Sequence, residues 1–142
     1  MVRGFSLTEL VVTLAIMSVA AAAALPRLAA FRDGIVVDQA AREVTTALAV
    51  ARHTAILRAA RARVTIAGDS LRIDRWEGGR WEAHRRWPGP AQHGVALEVS
   101  NPEVVFGPTG MGWGASNTKV VLRRGSQVET ITTSRVGRVK RW

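Results

Sequence analysis

The chain has 142 residues, one domain's worth, and no cysteine, which excludes disulfides, thiolate nucleophiles, cysteine-ligated zinc and thiol redox chemistry. Twenty Lys and Arg stand against eleven Asp and Glu, a formal net charge of +9. That excess argues for a polyanionic or acidic partner, or for a solvated arginine-rich face, and says nothing of fold.

The N-terminal stretch organises the rest. Residues 10–25 are apolar apart from Thr13 and Ser18, and Pro26-Arg27 closes the run. As a helix, residues 5–25 would be about 31 Å long at about 1.5 Å per residue, matching a hydrocarbon core of about 30 Å. Glu9 does not fit that pattern. An acid in a spanning helix costs about 2.5–3.5 kcal/mol at the centre, less near an end, and marks function by default. Its first-turn position lets the helix dipole offset part of the cost.

The order Gly4-Phe5-Ser6-Leu7-Thr8-Glu9, behind a short basic leader and ahead of an apolar helix, resembles the class III signal of type IV pilins and type II secretion pseudopilins. The resemblance implies that a prepilin peptidase cuts after Gly4 and that the new N-terminal Phe5 is methylated. It implies that Glu9 meets an N-terminal amine during filament assembly, and that Pro26 falls where many pilins bend this helix. Loss of Arg3 with the leader would leave 19 − 11 = +8 on the side chains. The residues also admit an ordinary secretory signal peptide, with Arg3 as its charged region and Ala22-Ala23-Ala24 as its cleavage site. That reading would free a secreted soluble basic domain. It leaves Glu9 and the Gly4-Phe5 junction without a role.

From Ile35 to about Arg61 the pattern predicts an amphipathic helix. Val37, Ala41, Val44, Leu48, Ala51 and Ala55 recur at spacings of three and four, and Ala40 and Ala47 widen the stripe. Asp33-Gly34 is a candidate break or bend ahead of it. From Ala62 the period becomes two. Val64 to Ile66 and Leu71 to Ile73, around Gly68-Asp69, read as a hairpin. Trp76-Glu77-Gly78-Gly79-Arg80-Trp81 reads as a second hairpin or a bulged continuation, and Pro88-Gly89-Pro90 ends it. Val95 to Val99 and Val104 to Phe106 are short strands. A Gly-rich loop at 107–118 leads to a hairpin of 119–123 with 128–133, and Val136 to Val139 is one more candidate strand.

A spine helix followed only by strands resembles the GspH/FimT branch of minor pilins and pseudopilins. Phe106-Gly107-Pro108-Thr109-Gly110, then paired strands, then Gly137-Arg138-Val139 follow that family's order. Residues 65–100 carry no motif of it.

Little in the sequence points to catalysis. The glycines of 107–118 lead into a strand rather than a helix and lack a Lys-Ser/Thr ending, so a phosphate cradle is not expected. His53, His84 and His93 have no ligand spacing, and no carboxylate dyad or nucleophile elbow stands out. No catalytic residue, metal or cofactor is expected. Trp76, Trp81 and Trp87 lie among arginines and could stack nucleobases, but packing on a sheet face against their own arginines is the simpler expectation for Trp76 and Trp81. The tail is the better nucleic-acid candidate. Gly137-Arg138-Val139-Lys140 is similar, with Lys for Arg, to the G-R-x-R signature of DNA-binding FimT-type pilins, and Arg135, Arg138, Lys140 and Arg141 are the candidate contacts. Arg42 and Arg52, on the helix, should matter much less to that site. The Lys replacement keeps the charge and loses the bidentate fork.

The expected fold is α+β and pilin-like: a leader at 1–4, a transmembrane and assembly helix at 5–25, and a globular domain at 26–142, helical to about 61 and then an antiparallel β-sheet domain. The expected function is structural, a minor pilin or pseudopilin of a type II secretion or type IV pilus filament. The alternative is DNA capture for natural transformation. Expected partners are other minor and major pilins or pseudopilins, the prepilin peptidase, the inner membrane and, in the alternative, DNA. The expected location is the bacterial inner membrane, single-pass, with the globular domain in the periplasm, and then the filament or its tip.

Overall fold

The computed structural model describes residues 4–142. Met1, Val2 and Arg3, most of the expected leader, lie outside the described residues. Helix α1 (Leu7–Leu57) is followed by eight strands: β1 (Ala62–Ile66), β2 (Ser70–Glu77), β3 (Arg80–Pro88), β4 (Ala96–Val99), β5 (Glu103–Phe106), β6 (Thr118–Arg124), β7 (Gln127–Thr133) and β8 (Val139–Arg141). Two units make up the chain, Met1–Arg32 and Asp33–Trp142. From Leu7 onward the first is the N-terminal part of α1, whose apolar side chains are exposed and whose length and hydropathy suffice to cross a membrane.

Helix α1 is continuous through Pro26 and through Asp33-Gly34, where the sequence suggests a break. A helical Gly costs only about 1 kcal/mol relative to Ala, and both residues are held from outside the helix. Asp33 accepts from Arg124 Nε at 2.8 Å, and Gly34 lies against the side chain of Gln127. The helix stops at Leu57, before the expected Arg61, without any glycine. Ala59 is left-handed at φ 46°, Ala60 donates to the Ala55 carbonyl, and Ala59 donates to that of Ile56. These two bonds form a Schellman C-cap with alanine where glycine is usual. The sequence Arg58-Ala59-Ala60-Arg61 is helix-favouring, so it hides the stop.

The expected stripe of α1 is the core face. Val37, Ala40, Ala41, Val44, Ala47, Leu48, Ala51, Thr54 and Ala55 are its buried positions. Where the sequence leads one to expect a sheet domain without further division, two four-stranded antiparallel sheets share this face, ordered β3-β2-β1-β5 and β4-β6-β7-β8. Cross-strand rows point inward: Ile73–Val64–Val104 in the first sheet, and Val120–Ile131 and Leu97–Leu122 in the second. All belong to one apolar cluster with the helix. Strands β2 and β3 join through Gly78-Gly79, both at positive φ (59° and 82°), as a two-residue primed hairpin requires. The last strand is displaced from expectation. It begins at Val139 rather than Val136, because Gly137 sits in a turn at φ 74° and the Gly137 N–H bonds the Ser134 carbonyl.

Three polar clamps tie the sheets to the helix. Arg124 holds Asp33 and also donates to the His93 carbonyl. Arg52 Nη1 donates to the Gly137 carbonyl at 3.0 Å. Arg141 donates to both Glu129 oxygens, at 2.6 and 2.8 Å, and to Asp38. The Arg141 guanidinium is raised above its ordinary range by its bonds to Glu129 first and Asp38 second. Hydrogen bonds from Arg42 and then Arg141 hold the Asp38 carboxyl below its ordinary value of 3.8.

Arg141→Gln should therefore lower the unfolding free energy at neutral pH by about 1–2 kcal/mol, a charge-assisted hydrogen bond discounted for partial exposure. Arg138→Gln, at an exposed position, should stay within about 0.5 kcal/mol. Urea melts of the full chain in detergent test both. The Asp38 contribution has its own pH signature, because its folded value is depressed. That contribution is complete above 3.8 and disappears as pH falls through the lower folded value. Asp38→Asn should thus be destabilising at neutral pH and converge on the wild type in acid.

Candidate functional site

Gly4 and Phe5 precede α1, and the Phe5 side chain is 84% exposed. The first turn is a capping box. The Ser6 N–H donates to Glu9 Oε2 at 2.9 Å, and the Glu9 N–H donates to Ser6 Oγ at 3.2 Å. Each residue satisfies a backbone donor that a helix start leaves unpaired. Glu9 therefore has a local role that its carboxylate chemistry alone does not reveal, although Ser followed three residues later by Glu is a readable capping signal. Two hydroxyls further along the segment are also internally satisfied. Thr13 donates to the Glu9 carbonyl at 2.7 Å and Ser18 to the Leu14 carbonyl at 2.8 Å, as a lipid environment requires. Glu9 Oε1 has no donor among the described residues.

The four tail candidates divide by strand alternation. Strand β8 pairs with β7 through Ile131↔Arg141, Thr132↔Lys140 and Thr133↔Val139. Arg138, Lys140 and Trp142 lie on its exposed side, and Lys140 Nζ stands 3.8 Å over the Trp142 ring. Arg141 turns the other way, toward Glu129 and Asp38. Arg135 is exposed in the turn before β8. Arg52, expected to be unconnected with the tail, grips the turn between Arg135 and Arg138 through the Gly137 carbonyl. That link spans 85 residues of sequence, so no local pattern signals it.

Four amides of the Gly-rich loop are used within the fold. Gly107 N–H bonds the Met111 carbonyl, Gly110 that of Gly107, Gly112 that of Arg135, and Trp113 that of Val105. These donors hold the loop against β5 and the 134–138 turn. Trp113 joins an aromatic–arginine ladder on the outer face of the first sheet. Arg61 lies 4.7 Å from the Trp76 ring and 5.4 Å from that of Trp113, Trp76 meets Trp81 edge-on at 5.2 Å, and Arg63 covers Trp81 at 4.7 Å. Arg63 also bonds the buried Asp74. Trp76 and Trp81 are thus packed on the chain's own arginines, and Trp87 packs against the core beneath Arg85. His93 faces Glu43 at 3.5 Å, and His53 lines a shallow recess with Arg52 and Ile56. No group of three or more metal-ligating side chains occurs among the described residues.

Comparison with known proteins agrees with this architecture. Residues 40–137 match the family model described as Type II transport protein GspH, and residues 1–25 match the prokaryotic N-terminal methylation motif. Two crystal structures of the type IV minor pilin FimU of Pseudomonas aeruginosa (strain PAO1) share the fold. One, in space group P21, has a TM-score of 0.63 at 16% identity over 73% of this chain and 86% of that one. The other, in P65, has a TM-score of 0.61 at 16% identity over 74% and 91%. No protein with a curated description matches by sequence. With the family model covering most of the chain and the methylation motif at its start, the protein belongs to the GspH family of pilin-like proteins.

Proposed function

We propose that the chain is a minor pilin or pseudopilin subunit with a structural and assembly role in a type II secretion or type IV pilus filament. Its work is packing against other subunits rather than catalysis. The observation that carries this reading is the N-terminal constellation: an exposed Gly4-Phe5 junction, a capped helix start, and an exposed apolar helix in which Thr13 and Ser18 are internally bonded while Glu9 Oε1 has no donor among the described residues. A neighbouring subunit's N-terminal amine would supply the donor that Glu9 Oε1 lacks among the described residues. Residues 5–25 would span the inner membrane, with the globular domain on the periplasmic side.

A second reading, DNA capture during transformation, draws on the exposed side of β8. Arg138, Lys140 and Trp142 project together there, and Arg135 and Arg138 have no carboxylate partner among the described residues. Arg141 is not part of that set, because Glu129 and Asp38 engage its guanidinium.

The mature protein should begin with N-methylated Phe5. Intact-mass measurement of membrane-extracted protein decides this, and a mature N-terminus near Leu25 would remove the pilin reading.

Glu9 offers a sharper test, because two substitutions separate its cap from its charge. Glu9→Gln keeps an acceptor for the Ser6 N–H, whereas Glu9→Ala loses both cap and charge. Both should be cleaved and inserted normally, and both should fall by about ten-fold or more in sheared filaments, equivalent to a lost interaction of about 1.4 kcal/mol. Wild-type recovery of Glu9→Gln would mean that the cap, and not the charge, is what matters.

For the DNA reading, Arg138→Gln with Lys140→Gln removes two phosphate contacts. The log–log salt slope of DNA binding by the full chain should shrink by about 1.8 units, at about 0.9 per contact. Unchanged binding, or none by the wild type at low salt, removes the DNA reading and leaves the assembly reading intact.

A further inference from the structure

Three segments meet at the C-terminal end of α1: residues 52–61, the loop 107–117 and the turn 134–138. Gly110 packs on Ile56 and on Arg52, Gly112 N–H bonds the Arg135 carbonyl at 2.7 Å, and Arg52 holds the Gly137 carbonyl. Together the three segments contain five arginines, no lysine and no acidic residue. Arg52 and Arg61 are engaged within the fold. Arg58, Arg135 and Arg138 are exposed, and none has an ion-pair partner among the described residues. The same end exposes large apolar side chains: Ile56 at 45%, Leu57 at 69%, Met111 at 53%, Trp113 at 55% and Val136 at 62%.

Exposed apolar groups gathered on one end of a compact unit, rimmed by charge, mark an interaction surface. The segments are tied together here, since a loop amide bonds a turn carbonyl and α1 bonds another. Trp, Met and Arg are also the residue types that dominate the centres of protein interfaces. Nucleic acid is a poorer fit, because the aliphatic Ile56, Leu57 and Val136 offer no stacking face. A lipid surface is a poorer fit too. The chain already has an exposed apolar helix for a membrane, and the charged groups here are all arginines, whose planar forks match carboxylates in pairs.

We propose that this end of the globular unit, centred on Met111 and Val136 and rimmed by Arg58, Arg135 and Arg138, docks the globular domain of a neighbouring pilin-like subunit. The neighbour's contact face carries carboxylates around an apolar centre. This inference rests on the assembly reading and adds to it the surface and the chemistry of the partner.

The test uses the full chain in its own cells, with a photo-crosslinking p-benzoylphenylalanine in place of Met111 or Val136. The same group at His84, exposed on β3, is the control. The expected result is a crosslink from both cap positions to a second protein bearing an N-terminal methylation motif, joined at a peptide containing Asp or Glu. Adding Arg58→Glu with Arg135→Glu should cut the crosslink yield by about ten-fold or more, since like charges across an interface cost several kcal/mol. Arg58→Lys with Arg135→Lys should retain much of it, and a thermal melt of the charge-reversed chain checks that it is folded. If processing at Phe5 and recovery in filaments are normal but the cap positions crosslink no better than His84, or crosslink only to lipid or DNA, the docking inference falls and the assembly reading stands. If Phe5 is not the mature N-terminus and the chain is absent from filaments, both fall.

Discussion

Two sheets can share one helix only if its surface lets both approach closely, and the alanine-rich stripe of α1 provides that condition. Ala40, Ala41, Ala47, Ala51 and Ala55 are at most 1% exposed. Alanine gives up no side-chain entropy on burial and keeps helix propensity high. Larger Val37, Val44 and Leu48 interdigitate between them with Ile73, Val64, Val104, Val120 and Ile131 from the two sheets. Volume added at an alanine of this stripe would have to separate a sheet from the helix, because close-packed interiors have no spare space. The absence of cysteine makes this packing the main source of cohesion in the unit.

The polar clamps follow from the same arrangement. A sheet resting on a small-residue face brings its edges close to the polar flanks of the helix, so Arg124 reaches Asp33, Arg141 reaches Asp38, and Arg52 reaches the Gly137 carbonyl. Each joins residues far apart in sequence. None replaces the apolar core as a source of stability, since partly exposed ion pairs contribute little individually. They fix where the last strand and its preceding turn lie. The orientation of Arg135 and Arg138 is thus connected to the helix through a single carbonyl.

Carboxylates and arginines serve two different ends in this chain. At Glu9 a capping box bonds two backbone donors of the helix start, while one carboxylate oxygen has no donor among the described residues. At Asp38, Glu129 and Asp74 the carboxylates are bound by arginines of the same chain. The net positive charge is therefore not evenly available. Much of it is neutralised locally, while Arg58, Arg135, Arg138 and Lys140, at the end of α1 and around β8, have no carboxylate partner among the described residues.

The sequence alone determined what depends on local spacing. The 3.6-residue stripe named the buried face of α1, the two-residue alternation named most strands, and Gly78-Gly79 named its hairpin, because periodicity and turn chemistry act between near neighbours. The N-terminal methylation motif was equally legible, being a contiguous pattern. Only the tertiary structure decided matters that depend on distant partners. It divided the strands into two sheets, carried the helix through Asp33-Gly34 by bonding Asp33 to Arg124, and ended it at an alanine in a left-handed cap. It also separated Arg141 from Arg138 and Lys140. Four cations read as one basic tail along the chain, but side chains alternate across a strand, and the register of β8 on β7 is set by Ile131, Glu129 and the helix behind them. Which cation faces solvent and which faces the core is a property of that register, and it is not written in the tail's own residues.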